Sequence, residues 1–277
     1  MNTESKVAEH YTKRHLEETI LEALRRAGKD VAHLTAVDLA VIDEFHVGGL
    51  PATRELAEQM ELRPGLSLLD VGSGVGGPAR YFAAEHACRV TGVDLTEEFV
   101  QVATSLTKLL KLESLVEFRH ASALHLPFEA ATFDGAYMLH VGMNIADKAG
   151  VFREVRRVLK PGGLFVVFDI VRTADGQIRY PVPWALEETT SLIGSLKTYR
   201  EALEEAGFRV ERERSRQEFS IEVTQRAMEQ MALAGPPVLG LQLLMGEKTP
   251  IMIANILAMM KAGVLEPVEM FARAGAN

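Results

Sequence analysis

The sequence predicts an α/β protein built on a doubly wound, mostly parallel sheet, with helices in front of the sheet and a late helical insertion forming a cap. Three observations predict it. From Leu66 to Ile170, short apolar runs alternate with amphipathic segments, the pattern of parallel strands joined by right-handed crossover helices. A glycine-rich turn, "LLDVGSGVGG" at 68–77, joins the first of these runs to the helix after it. The second run closes on an acidic residue, Asp94.

Taken in order, the first quarter reads as helix. Leu16, Ile20, Ala23, Leu24 and Ala27 fall on one face, and Gly28 follows Arg25 and Arg26 as a stop. Shorter helices are expected around 35–44 and 52–62, separated by "FHVGGLP", whose paired glycines do not suit a helix interior. "RPG" at 63–65 ends this region. There follow a strand over Leu66–Val71, a helix from about 76 with Pro78 in its first turn, and a strand over Arg89–Asp94. A helix over 97–111, strands near 115–119 and 133–140, a helix over 147–159 and a strand over 164–170 complete the alternating part. Beyond Pro183 the pattern gives a helix at 195–206 ended by Gly207, a strand from Phe208, and helix over most of 220–264, broken by "GPP" at 235–237 and "GEKTP" at 246–250. The tail "PVEMFARAG" reads as a last strand. The expected organisation is an N-terminal helical lid (1–62), an α/β core (63–215) and a helical cap with the final strand (216–277).

Composition narrows the function. The 277 residues are 47% apolar and 25% charged, an ordinary globular balance. The net charge of -8 is spread over interspersed acids and bases, which argues against a nucleic-acid groove or an anionic membrane surface and favours a small, neutral-to-cationic partner. The first residues lack the basic-then-apolar pattern of a secretory signal, and "IMIANILAMM" stops at Lys261, short of the roughly 20 residues a bilayer needs. A lone Cys88 allows no internal disulfide or thiolate cluster, so a soluble cytoplasmic protein is expected.

The glycine turn admits two cofactors. Gly72, Gly74 and Gly77 fit the dinucleotide spacing G-x-G-x-x-G, while Asp70, Gly72, Gly74 and Gly76 fit D-x-G-x-G. In both, a strand ends on glycines that bring a helix N-terminus to the ligand, and Asp94 can accept ribose hydroxyls. Asp70 separates them. A carboxylate there repels a pyrophosphate and attracts an ammonium or sulfonium. S-adenosylmethionine carries both of those cations and no phosphate.

The stretches "FHVGGLPATRELA", "LLDVGSGVGGPARYFA", "VTGVDLT", "LPFEAATFDGAYMLHVGMNIADK", "EVRRVLKPGGLFVVFDI" and "YPVPWA" occur in that order. Through them, from about residue 45 to 210, the chain resembles the class I S-adenosylmethionine-dependent methyltransferases, especially the branch acting on sarcosine/dimethylglycine and phosphoethanolamine. The resemblance implies a Rossmann-like methyltransferase fold with S-adenosyl-L-methionine as cofactor. It places Asp70, Gly72, Gly74 and Gly76 around the methionine part, Asp94 on the ribose, and Leu95 with the Ala123 backbone against the adenine. Ser122 stands where the family usually has an Asp that meets the adenine amino group. His140 matches the floor between cofactor and acceptor, and Tyr11, in "EHYTKRH", the segment that closes over the cofactor.

His46, beside two glycines, and His140, at a strand end, are candidates for a general base or for substrate hydrogen bonds, against the plainer reading of structural histidines. Asn144 is a candidate polar contact, and Trp184 a candidate wall of the pocket or a face for a cationic acceptor, against simple loop packing. None of the eight histidines pairs at i, i+4, so no metal is assigned. The Met-rich 243–260 reads as core, as the lining of an apolar pocket, or as the seam of a homodimer. The expected reaction is in-line methyl transfer to a small-molecule acceptor, first an amine nitrogen, then oxygen or carbon. Two rivals stay open: a nicotinamide-dependent oxidoreductase using the G-x-G-x-x-G spacing, and a methyltransferase-fold binding module without catalysis.

Overall fold

Successive side chains of a strand leave opposite faces, and in β1 (Ser67–Val71) both Leu68 and Leu69 are buried. Leu69 packs with Phe165 and Val167 against α7 (Lys148–Val158) and α8 (Leu196–Glu205). Leu68 packs with Val166 and Phe168 against α4 (Gly49–Gln59) and α5 (Gly77–His86). Strands that are apolar on both faces therefore sit between two helical layers, as a parallel sheet demands.

The computed structural model describes residues 3–235 and 237–275. Its sheet also contains β2 (Arg89–Asp94), β3 (Val116–His120), β4 (Phe133–Leu139), β5 (Leu159–Arg172), β6 (Phe208–Ser215) and β7 (Leu265–Ala274), in the order β3-β2-β1-β4-β5-β7-β6. The first five are parallel, and β7 runs antiparallel to both β5 and β6. The chain winds outward from β1 to β3 and then returns to β4 on the other side of β1. At that reversal a crevice opens above the carboxyl ends of the strands.

In front of the sheet lie α1 (Thr3–Tyr11), α2 (Leu16–Arg26) and α3 (Ala36–Asp43). Leu16, Ile20 and Leu24 of α2 pack on Phe99, Val102 and Leu106 of α6 (Glu97–Leu109). The Glu98 carboxylate accepts from the N–H groups of Lys13, Arg14 and Leu16 at 2.6, 2.9 and 3.1 Å, which pins the turn after α1 to α6. Thr35 and Asp38 form a capping box that starts α3. Arg80 of α5 is fully buried and donates to Asp43 at 2.7 Å, to the Val75 and Ala103 carbonyls and to Thr107. It therefore ties α3, α5 and α6 together below the crevice. Burial raises the Asp43 carboxyl to about 6 even beside this guanidinium.

The elements follow the sequence pattern with three differences. β5 runs from Leu159 instead of from about 164: Leu159 pairs with Phe133, and Gly162, at φ 76°, lets "KPGG" bulge out before pairing resumes at Leu164. α4 begins at Gly49, because the paired glycines form its entry, Gly48 taking φ 90° as its cap. Of the late helices, α10 (Gln242–Met245) packs on α2, while α9 (Gln217–Ala234) and α11 (Thr249–Lys261) pack on each other and on β7, and none of the three lines the crevice. Leu244 joins the cluster of Leu16 and Ile20, while Met259 and Met260 pack with Ile170 and Trp184, so the Met-rich stretch is core. Pro236, in the break between α9 and α10, lies outside the described residues. No helix among the described residues is long and apolar enough to cross a membrane.

Candidate functional site

The crevice holds a cavity of about 400 Å³, the size of a small-molecule site. Its floor comes from the residues that end or follow β1, β2, β3 and β4, and its front wall from α1 and from Asp43, Phe45 and His46.

At the end of β1 the turn is bound to the next strand. Gly72 and Ser73 donate their N–H groups to the Val93 carbonyl at 2.8 and 2.9 Å, Gly74 donates to Asp94 Oδ2 at 2.8 Å, and Gly76 donates to the Ser73 carbonyl at 2.9 Å. Gly72 sits at φ 75°, and a Cβ there would fall 2.4 Å from the Val141 side chain, so both conformation and space require glycine. Asp94 Oδ1 accepts from Thr96 N at 2.8 Å. Each oxygen of Asp94 thus serves one backbone donor and keeps lone pairs toward the cavity. Asp70 Oδ2 is buried with no hydrogen-bond partner. Burial first, helped by the charges of Asp94 and Glu44 and opposed by the Tyr137 hydroxyl and Arg80, pushes its carboxyl well above the usual range, a penalty that a cation beside it would relieve.

At the end of β4 the arrangement is different. His140 has φ 56°, unusual for a residue with a Cβ, and is held there by its N–H to the Phe168 carbonyl at 2.7 Å. Its ring stands edge-on to Phe168 at 4.6 Å, and neither ring nitrogen has a partner. Burial, reinforced by His46, lowers its pKa well below the usual value, so the imidazole is neutral. The turn behind it is fixed by Asp169, which accepts from the Val141 and Gly142 N–H groups at 2.8 and 3.0 Å and from the Tyr199 hydroxyl at 2.9 Å. Burial raises the Asp169 carboxyl to about 7.

His46 also lines the cavity, with its ring 6.0 Å from that of His140. Its Nε2 lies 2.9 Å from Glu44 Oε2 and 3.0 Å from Thr53 Oγ1, and Thr53 donates to the same carboxylate at 2.6 Å. His46 is therefore held in a buried polar triad, whereas His140 is unengaged. Asn144 donates to the Tyr11 hydroxyl at 3.1 Å and leaves its own Oδ1 buried without a partner. Tyr11 packs on Phe99 and Phe45, and burial raises its phenol above the usual value.

At the β3 end, Leu95, Ala121, Ser122 and Ala123 line the cavity. The Ser122 hydroxyl accepts from Leu124 N at 3.1 Å and donates to the Glu4 carboxylate of α1.

Two expected residues lie elsewhere. Gly76, at φ 87°, caps α5 away from the cavity, and a Cβ there would meet the Phe118 ring and the Arg80 guanidinium. It serves the close approach of helix to sheet. Trp184 packs with Met143, Ile170 and Val182 behind the floor and donates to Ser191 Oγ at 3.0 Å, so it does not wall the pocket. Sequence reasoning missed Glu4, Asp43, Phe45, Glu44 and Asp169. Only Asp169 left a signal, as a carboxylate inside the apolar run "LFVVFDIV". Among the described residues, no group of three or more His, Cys, Asp or Glu side chains is arranged to hold a metal ion.

Residues 69–167, from β1 into β5, match the family model described as a methyltransferase domain. Over that stretch the chain is similar to a methyltransferase domain. A 24-methylenesterol C-methyltransferase of Arabidopsis thaliana is 35% identical over 162 residues, 56% of this chain and 45% of that protein. The chain spans about a third to a half of the length of the curated relatives it matches. Among solved structures, the [4+2]-cyclase SpnF is similar at a TM-score of 0.66 and 25% identity, over 82% of this chain and 81% of that one. Phosphoethanolamine N-methyltransferase 2 of Haemonchus contortus, in complex with S-adenosyl-L-methionine, shares the fold at a TM-score of 0.70 and 19% identity, over 92% of this chain and 60% of that one. The matched residues include Asp70, Gly72, Gly74, Asp94, Ser122, His140 and Asn144, whereas Glu4, Tyr11, Asp43, Phe45 and His46 complete the cavity from outside them.

Proposed function

We propose that this chain binds S-adenosyl-L-methionine across the ends of β1, β2 and β3 and methylates a small molecule held beside His140. The observation that carries the reading is the cavity's pair of partnerless groups, the Asp70 oxygen beside the glycine turn and the neutral His140 ring beyond it. The residues fit the cofactor. Asp70 complements its ammonium or sulfonium, the Gly72 turn admits close approach, and Asp94 keeps acceptor capacity for a diol. When bound, the cofactor supplies a methyl group activated by a positively charged sulfur.

The chain's own work is alignment, exclusion of water and proton removal. An acceptor that exchanges a hydrogen for a methyl group must release one proton. The neutral His140 ring accepts that proton as the bond to carbon forms at the acceptor atom. Asp169 positions His140 through the turn it holds, and the Glu44–His46–Thr53 triad presents a fixed polar wall opposite. The front helices, with α1 foremost, act as the lid.

An amine nitrogen is the first acceptor, supported by the net charge of -8 and the carboxylates that line the cavity. Oxygen or carbon is the second reading, favoured by the unengaged His140: a hydroxyl loses its proton as it attacks, and a carbon acceptor loses one after the methyl group is added.

The test is the shift in unfolding midpoint with S-adenosylmethionine and, separately, with NADPH. A ligand at about 100 times its Kd adds about 2.7 kcal/mol, and the shift should appear with S-adenosylmethionine alone and vanish in Asp94→Ala. A shift with NADPH, or none with S-adenosylmethionine, overturns the reading. Binding without transfer to any amine, hydroxyl or activated-carbon acceptor would leave a binding module instead.

A further inference from the structure

We infer that Glu4, on the first helix, is the residue that recognises the amino edge of the cofactor's base, an assignment that rests on the cofactor reading above. The sheet order sets the direction. With the amino-acid part at the β1 turn and the ribose at Asp94 on β2, a base attached to that ribose extends toward the neighbouring strand, β3. The cavity there is enclosed by Leu95, Ala121 and Ala123 from the sheet side and by Val7 of α1, apolar surfaces suited to the faces of a flat ring.

The rim of that end is set by Ser122 and Glu4. The Ser122 hydroxyl gives its proton to Glu4 and takes one from Leu124 N–H, so it has no donor left to offer. A carboxylate has about four lone-pair sites and no proton to donate. After accepting from Ser122, Glu4 still accepts, and the exocyclic amine of adenine is the donor that matches it. A base carrying a 6-oxo group instead presents lone pairs to a carboxylate and is disfavoured. The same helix reaches Asn144 at the acceptor end through Tyr11. Recognition of the amine by Glu4 therefore seats the helix that closes the acceptor side.

Calorimetric titration with S-adenosylhomocysteine and with its 6-oxo analogue, S-inosylhomocysteine, tests this on the full chain, comparing wild type, Glu4→Ala and Ser122→Ala. Wild type should prefer the 6-amino ligand by about ten- to a hundredfold, the range of one hydrogen bond to a charged group. Glu4→Ala should lose that preference by weakening the 6-amino ligand alone, and Ser122→Ala should keep it. Equal weakening of both ligands in Glu4→Ala would mean that Glu4 only fastens the helix to Ser122, and would overturn the assignment. So would a preference abolished in Ser122→Ala and retained in Glu4→Ala. Absence of S-adenosylhomocysteine binding in wild type would instead bring down the cofactor reading itself.

Discussion

The two ends of the cavity are built from different materials. Around β1 and β2 the geometry is set by backbone: glycine N–H groups fastened to Val93 and Asp94, and a turn that no side chain but hydrogen fits. Around β4 it is set by side chains from separate parts of the chain: Tyr11, His46, His140 and Asn144, two of which keep polar atoms unspent. The first end leaves little to vary, because its shape is held by main-chain hydrogen bonds. The second can be retuned by single substitutions without disturbing the first, which gives a physical reason for proteins of one fold to differ in acceptor or even, as the name of SpnF indicates, in reaction.

The comparison can be broken most directly at His140. His140→Gln should lower kcat by about 10²- to 10⁴-fold for a proton-releasing acceptor while leaving the Kd of S-adenosylmethionine within about twofold, read by steady-state kinetics beside calorimetry. A matching loss of cofactor affinity would show that the two ends are not separable. Behind the backbone end, Arg80→Ala should cost about 3–5 kcal/mol in urea unfolding, because it leaves Asp43 buried without its cation. Gly72→Ala should cost about 1–3 kcal/mol and weaken cofactor binding, from backbone strain and the clash with Val141.

A pH measurement sharpens the contrast further. Asp169 is raised to about 7 in the fold, above its unfolded value, so the folded state holds a proton that the unfolded state has released. Its contribution to stability is therefore full below about pH 4 and falls as pH rises toward 7, with a slope of at most about 1.4 kcal/mol per pH unit. Asp169→Asn should flatten that part of the stability profile. An unchanged slope would place the titration elsewhere. The smallest effect is expected from Tyr11→Phe, which removes the partner of Asn144 and should reduce ligand-induced stabilisation by about 1 kcal/mol in thermal melts.

The same division decides what could be read from the sequence. The strands from β1 to β5 and the glycine turn were legible because they depend on local periodicity and on residues a few positions apart, such as Asp70 and Gly72. Glu4 with Ser122, and Tyr11 with Asn144, are joined across 118 and 133 residues, and no local pattern announces such pairs. Gly76 was read as a ligand contact because its spacing fits a motif, but its lack of a side chain serves Phe118 and Arg80. Trp184 follows β5 at the ligand edge of the sheet, yet the late helices supply Met259 and Met260 to cover it, a contact that only the folded chain shows.

The glycine turn has one more consequence. The N–H groups of Gly72, Ser73, Gly74 and Gly76 are already given to Val93, Asp94 and Ser73. A turn of this shape with free N–H groups would be a nest for anions. Here those dipoles are used internally, so ATP, NAD and inorganic phosphate gain little by entering. Such a turn gives an adenosine-bearing phosphate no free main-chain donors, a bias set by hydrogen bonds made before any ligand arrives.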